Sequence, residues 1–131
     1  MAFGDVLDEE TERIATIIVD AIFRVHSTLG PGLLESVYEQ CLVLELESRG
    51  LRVERQVLVP IYYLGKQIEP GLRLDLLVDG RVVVETKAVE VMHPVFKSQT
   101  KTYLKLSAKR LGILVNFNVP LIKDGISRII L

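Results

Sequence analysis

Asp75, Glu85 and Lys87 are the residues of this chain whose types and spacing point first to chemistry. Asp75 lies in Leu72-Arg73-Leu74-Asp75-Leu76-Leu77-Val78, an acid inside a run that otherwise suits a buried strand. Glu85 and Lys87 follow Val82-Val83-Val84 on the next strand. Burying an unpaired ionised group is very costly, so these acids must be solvated, paired or bound to a metal. Two carboxylates hold Mg2+ or Mn2+ through oxygen ligands, and such an ion binds a scissile phosphate and lowers the pKa of its water. A nearby ammonium orients or helps deprotonate the attacking water and stabilises the pentavalent transition state. The bland alternative is a surface Glu–Lys pair with an isolated acid at a sheet edge, and the Asp-x9-Glu-x-Lys spacing alone does not separate the two.

Glu85 and Lys87 are two apart, so on a strand they project from one face. Asp75 joins them only in the right register. A three-residue Val78-Asp79-Gly80 loop with Gly80 left-handed sets Leu77 opposite Arg81 and Asp75 opposite Val83, which clusters the acids. A two-residue Asp79-Gly80 turn pairs Asp75 with Val84 and puts the acids on opposite faces. A fourth group, Glu35, opens a helix directly after Gly30-Pro31-Gly32, ahead of an apolar face of Leu34, Val37, Leu42 and Leu44, with Tyr38 one turn on. It is either a further metal ligand or an aid to water positioning, or else a first-turn acid that merely complements the helix dipole.

The elements that must position these residues follow from periodicity. Ile14, Ile17, Ile18, Ala21, Ile22 and Val25 recur at three- and four-residue steps, which predicts one amphipathic helix over 8–29. Gly30-Pro31-Gly32 breaks it, and a second helix spans about 33–49 with Gly50 as its cap. Val53, Val57, Val59, Ile61 and Tyr63 alternate as in a half-buried strand ending at a Leu64-Gly65-Lys66 turn. Further strands cover 72–78 and 81–85, a helix begins at Pro94 and runs to about Lys109, and strands over 112–117 and 126–131 close the chain after an Asp124-Gly125 turn. The expectation is one α/β domain over residues 1–131, a mixed sheet packed against helices.

Composition fits that picture. The 131 residues, 49% hydrophobic and 25% charged, make an ordinary globular chain with no run able to span a bilayer. Met1-Ala2-Phe3-Gly4-Asp5 lacks a basic-then-apolar signal pattern, so the cytoplasm is the expected location. One cysteine, Cys41, excludes an internal disulfide and a cysteine-rich zinc site; it reads as a buried thiol in a helix. A net charge of −1 gives no global sign of nucleic-acid binding.

Gly32, Glu35 and Tyr38 spell a GxxExxY pattern, and the chain resembles the small bacterial and archaeal family named for it. The likeness continues through Leu29-Gly30-Pro31-Gly32, Val53-Glu54-Arg55-Gln56, Arg73 to Val78, Val84-Glu85-Thr86-Lys87-Ala88-Val89-Glu90 and Leu114-Val115-Asn116-Phe117. That family is similar to a branch of the PD-(D/E)XK (restriction-endonuclease-like) nuclease superfamily, with an α-β-β-β-α-β core. The resemblance implies this fold with an extra N-terminal helix, a central mixed β-sheet flanked by helices, and Mg2+ or Mn2+ as cofactor. It implies metal ligation by Asp75 and Glu85, Lys87 as catalytic lysine, and Glu35 as the acid of the first core helix. Gln99 and Tyr103 resemble the QxxxY motif of RecB-type nucleases and share one helix face. Gln99 would hydrogen-bond a catalytic group or substrate and Tyr103 back the site; a plain packing role is the other reading. Leu74 stands where the superfamily name has proline, and Thr86 fills a position more often apolar.

Weaker candidates are His26, more simply a satisfied histidine; His93, close enough along the chain to reach substrate; and Lys97, Lys101, Lys105, Lys109 and Arg110 along the third helix. The lysines make either a solvated face or phosphate contacts. The expected function is a metal-dependent nuclease acting on DNA or RNA, working as a homodimer or with a partner that supplies specificity. The competing class is a catalytically inactive nuclease-like module for nucleic-acid or protein binding.

Overall fold

The computed structural model describes residues 6–131; Met1–Asp5, on which the expectation about a signal pattern rested, lies outside the described residues. Helix α1 spans Glu9–Leu29, capped by the Asp8 carboxylate, which accepts from the Thr11 N–H at 2.7 Å. Helix α2 spans Glu35–Ser48, and Gly50, with φ +83, follows it in the left-handed conformation expected of a helix end. Then come β1 (Val53–Tyr63), β2 (Lys66–Val78), β3 (Val82–Lys87), α3 (Val95–Ser107), β4 (Leu111–Asn116), a 3-10 turn (Ile122–Gly125) and β5 (Ile126–Ile130). The α-β-β-β-α-β order is present from α2 to β4, with α1 as the extra leading helix. Among the described residues no helix is long and apolar enough to cross a membrane.

The five strands form one mixed sheet in chain order. All neighbours are antiparallel except β3 and β4, which α3 joins as a parallel crossover. Helices α1 and α2 cover one face: Ile14, Ile18, Ile22, Tyr38, Leu42 and Leu46 meet Val82, Val84, Ile113 and Val115 in the larger core. Helix α3 covers the other, where Leu104 packs with Leu72, Leu74, Leu77 and Val83. A Cβ on Gly112 of β4 would lie 3.0 Å from Thr100 Cγ2 and 3.3 Å from Leu104 Cδ2, so the bare glycine lets α3 sit close.

Three expectations need correction. The α2 face is not Leu34, Val37, Leu42 and Leu44: Leu34 and Leu44 are exposed, and Tyr38, Glu39, Leu42, Val43 and Leu46 point inward. Strand β2 starts at Lys66 rather than Leu72, because Pro70 and Gly71 do not end it. The pairing instead slips between Val59 and Ile61, and Gly71 takes φ +78 where a Cβ would lie 2.6 Å from the Val59 carbonyl oxygen. The β2–β3 loop is Asp79-Gly80-Arg81, with Asp79 and Gly80 both left-handed and Val78 paired to Val82. Neither anticipated register occurs, although the first is off by two residues and so has the correct facing.

Candidate active site

The β2–β3 ladder pairs Leu76 with Val84, Leu77 with Val83 and Val78 with Val82. One step further, the same register sets Asp75 opposite Glu85, and there the backbone ladder gives way to side chains. The Glu85 carboxylate accepts from the Asp75 N–H at 2.8 Å, and the Asp75 carboxylate accepts from the Thr86 N–H at 3.0 Å. The Thr86 hydroxyl lies 3.4 Å from the same Asp75 oxygen. Two acids thus interlock two strands, each satisfying a backbone donor on or beside the other.

The interlock places charge where water is scarce. Glu85 is 5% exposed, and its pKa is pushed up to about 8 by burial first and by the Asp75 charge second. The Asp75 N–H and Lys87 oppose that rise without cancelling it. Burial also raises Tyr103, with Glu85 and Asp75 adding to the effect, which locates this half-buried ring of α3 beside the pair. Glu35 is raised as well, by loss of hydration and then by Asp75, while Lys87 works the other way. Glu85, Glu35 and Tyr103 therefore each lie within electrostatic reach of Asp75, and Lys87 within reach of Glu85 and Glu35.

Lys87 makes no ion pair among the described residues. Its Nζ rests 4.6 Å from the centroid of the Phe96 ring, on the first turn of α3. A cation over an aromatic face keeps its charge while its N–H donors stay free for an anion. Phe96 was missed in the sequence, where nothing local ties residue 96 to residue 87. Gln99 is exposed one turn before Tyr103 and makes no side-chain hydrogen bond among the described residues.

Glu35 owes its position to Tyr38. The Tyr38 hydroxyl donates to the Gly30 carbonyl at 2.6 Å and accepts from the Leu33 N–H at 3.0 Å, while its ring stacks on Phe117 at 4.6 Å. The buried tyrosine thereby folds the 30–33 turn, with Gly32 at φ +102, against the start of α2. One turn beyond Glu35, Glu39 is buried and accepts from Gln56 Nε2 at 2.8 Å. Sequence reading passed over this acid because it sits among the apolar residues of α2.

Other candidates resolve more simply. His26 is buried with Nε2 2.7 Å from the Val119 carbonyl, a satisfied core histidine. His93 accepts from the Val95 N–H at 3.0 Å through Nδ1, capping α3. Cys41 is partly buried against the larger core. Lys97, Lys101 and Lys105 are exposed; their flank of α3 borders Leu131 rather than Tyr103. Asn116, assigned no role of its own from the sequence, clasps both the N–H and the C=O of Val89 at 3.0 Å, fixing the chain that leaves Lys87.

Among the described residues no three His, Cys, Asp or Glu side chains form a set able to hold one metal ion. Asp75 and Glu85 alone supply hard carboxylate oxygens side by side, a donor set that suits one divalent cation whose remaining positions are filled by water. Such an ion would offset both the burial and the Asp75 charge that raise the pKa of Glu85. Glu35 stands outside that pair as a third acid within reach of its field.

Comparison with curated proteins and with solved structures finds no match. A family model for the PD-(D/E)XK nuclease superfamily matches residues 12–129, an interval holding every residue of the acidic site. With the mixed sheet, the flanking helices and a match over most of its length, the chain belongs to the PD-(D/E)XK nuclease superfamily.

Proposed function

We propose that this chain hydrolyses phosphodiester bonds in DNA or RNA with the help of Mg2+ or Mn2+. Nucleases of this superfamily generally use divalent metals. The observation that carries the reading is the interlocked Asp75–Glu85 pair, with Glu85 buried, near an ammonium that makes no ion pair among the described residues. Beyond linking the two strands, the arrangement keeps two acids where one of them resists ionisation, a cost that a functional site would explain. A divalent cation held by the pair would supply Lewis-acid activation of water and screen the phosphate charge. Lys87 would bind the attacked phosphate and stabilise charge developing on its oxygens. Glu35 would orient or accept a proton from the water, as its raised pKa favours. Tyr103 would shield the pair from bulk solvent, and exposed Gln99 would meet substrate.

The GxxExxY branch is supported by the work each motif residue does: Gly32 turns the chain, Tyr38 clamps the turn, and Glu35 faces the acids. Specificity would come from a second copy or a partner protein, for which the exposed Tyr62, Tyr63 and Leu64 at the β1–β2 turn offer a surface. One observation favours the non-catalytic module instead: Glu35 does not complete a three-acid cage.

Titration calorimetry with Mn2+ on wild type and Asp75→Asn separates the readings, together with a Mg2+-dependent cleavage assay on single-stranded DNA, duplex DNA and RNA. The nuclease requires saturable heat that the variant loses, and cleavage that Lys87→Ala reduces by about a hundredfold or more. A wild type that neither binds Mn2+ nor cuts any of the three polymers sinks it.

A further inference from the structure

Strand β1 contains one residue in the left-handed conformation: Gln56, at φ +50. It falls between the pairs Arg55–Leu76 and Val57–Leu74, so it lies opposite Asp75. Both strands turn over at this point. Val53, Leu76 and Val78 point into the core under α1 and α2, whereas Val57, Leu72 and Leu74 point into the core under α3. A strict two-residue alternation would put Val57 on the same face as Val53, and Leu72 and Leu74 on the same face as Leu76 and Val78. The turnover takes Asp75 out of the regular ladder and leaves its N–H and carboxylate for Glu85 and Thr86.

A left-handed glutamine is an unfavourable conformation that persists when its surroundings fix it. What fixes it is Glu39 of α2, 7% exposed, which accepts from Gln56 Nε2 at 2.8 Å and lies 3.9 Å from the Arg55 guanidinium. Glu39 is one helical turn from Glu35, so both acids ride on one face of α2.

We propose that Glu39 and Gln56 form a positioning brace, in which the Gln56–Glu39 hydrogen bond holds the left-handed kink opposite Asp75 and so aligns the Asp75–Glu85 pair with Glu35. The purpose of the alignment rests on the nuclease reading; the alignment itself does not.

The test compares Glu39→Leu, Glu39→Gln and Gln56→Ala with wild type by amide hydrogen exchange and Mn2+ calorimetry. Amides of Asp75 and Thr86 report the interlock, and the amide of Ile113 in β4 serves as the internal reference. Glu39→Leu is expected to speed exchange at Asp75 and Thr86 by about tenfold with Ile113 unmoved, and to weaken Mn2+ binding by about tenfold. Glu39→Gln, which keeps an acceptor oxygen, should restore both. Gln56→Ala removes the amide but keeps a Cβ that disfavours positive φ, so it should behave as Glu39→Leu, which keeps the test open if the leucine variant does not fold. Asp75 and Thr86 amides that respond to neither variant overturn the brace, even if wild type binds Mn2+ and cuts. Amides that respond in a protein that binds no Mn2+ leave the brace standing and remove the nuclease.

Discussion

Glu85→Gln should make the metal-free protein more stable at neutral and alkaline pH. In the folded chain Glu85 holds its proton up to about pH 8, against an ordinary value of 4.5. Between those limits the folded state binds more protons than the unfolded state, so stability falls as pH rises, by about 1.4 kcal/mol per unit at most. Across the whole interval the loss is bounded at roughly 5 kcal/mol, and movement of the carboxyl toward water reduces it. Glutamine has the same shape and no charge. Its oxygen can still accept from the Asp75 N–H, and its amide can donate to the Asp75 carboxylate 10 positions away in the chain. Urea unfolding in EDTA at pH 5, 6, 7 and 8 measures the effect: wild-type stability should decline steadily while the variant stays comparatively flat, with the gap widest at pH 8. Glu35 is raised in the same direction and contributes its slope to both proteins, so their difference isolates Glu85. Mn2+ at a hundred times its dissociation constant should then add about 2.7 kcal/mol to wild type and little to the variant. Parallel pH profiles for the two proteins would refute the reasoning, because they would mean that Glu85 ionises in the fold at no cost.

Tyr38→Phe keeps the stack on Phe117 and loses both hydroxyl hydrogen bonds, so it should cost about 1–2 kcal/mol in denaturant unfolding and loosen the 30–33 turn. Gly112→Val puts a branched side chain where even a Cβ meets Thr100 at 3.0 Å; it should lower stability by about 1–3 kcal/mol, read as a fall in Tm, by pushing α3 off the sheet. Asn116→Ala strips Val89 of its partners for both N–H and C=O and should cost about 1–3 kcal/mol, with faster amide exchange at Val89 as the local signature.

The acidic site was legible because its residues contradict their surroundings. An aspartate inside Leu72–Val78 and a glutamate after three valines have no packing reason to be there, and the fold indeed brings them together with Lys87. Helix α1 was legible for the opposite reason, since Ile14, Ile18, Ile22 and their neighbours form a single apolar stripe that the core absorbs. Helix α2 has no such stripe. Its limits came from the glycines around it, and its buried face went astray because Glu39 lies inside while Leu34 and Leu44 lie outside. Register was illegible because it depends on Asp79, a non-glycine residue, adopting a left-handed conformation that lengthens the loop to Arg81. Gln56 was illegible for the same cause: a positive φ at glutamine is imposed by a partner 17 positions away in the chain. Phe96 and Lys87 meet only because α3 folds back over β3, which no local pattern encodes.

The acids that would serve chemistry also hold the strands together, and this changes how their substitution must be read. Where the β2–β3 ladder stops at Leu76 and Val84, the next two cross-strand bonds are made by the Glu85 and Asp75 carboxylates. Alanine at position 75 therefore removes a cation ligand and also orphans the Thr86 N–H, 1% exposed, at a cost of about 1–3 kcal/mol. Lost activity in that variant would not distinguish a missing ligand from two parted strands. Asparagine keeps an oxygen for the Thr86 N–H and loses only the charge. The isosteric amide, not alanine, is thus the substitution that measures ligation at this site, and the same argument selects glutamine at position 85.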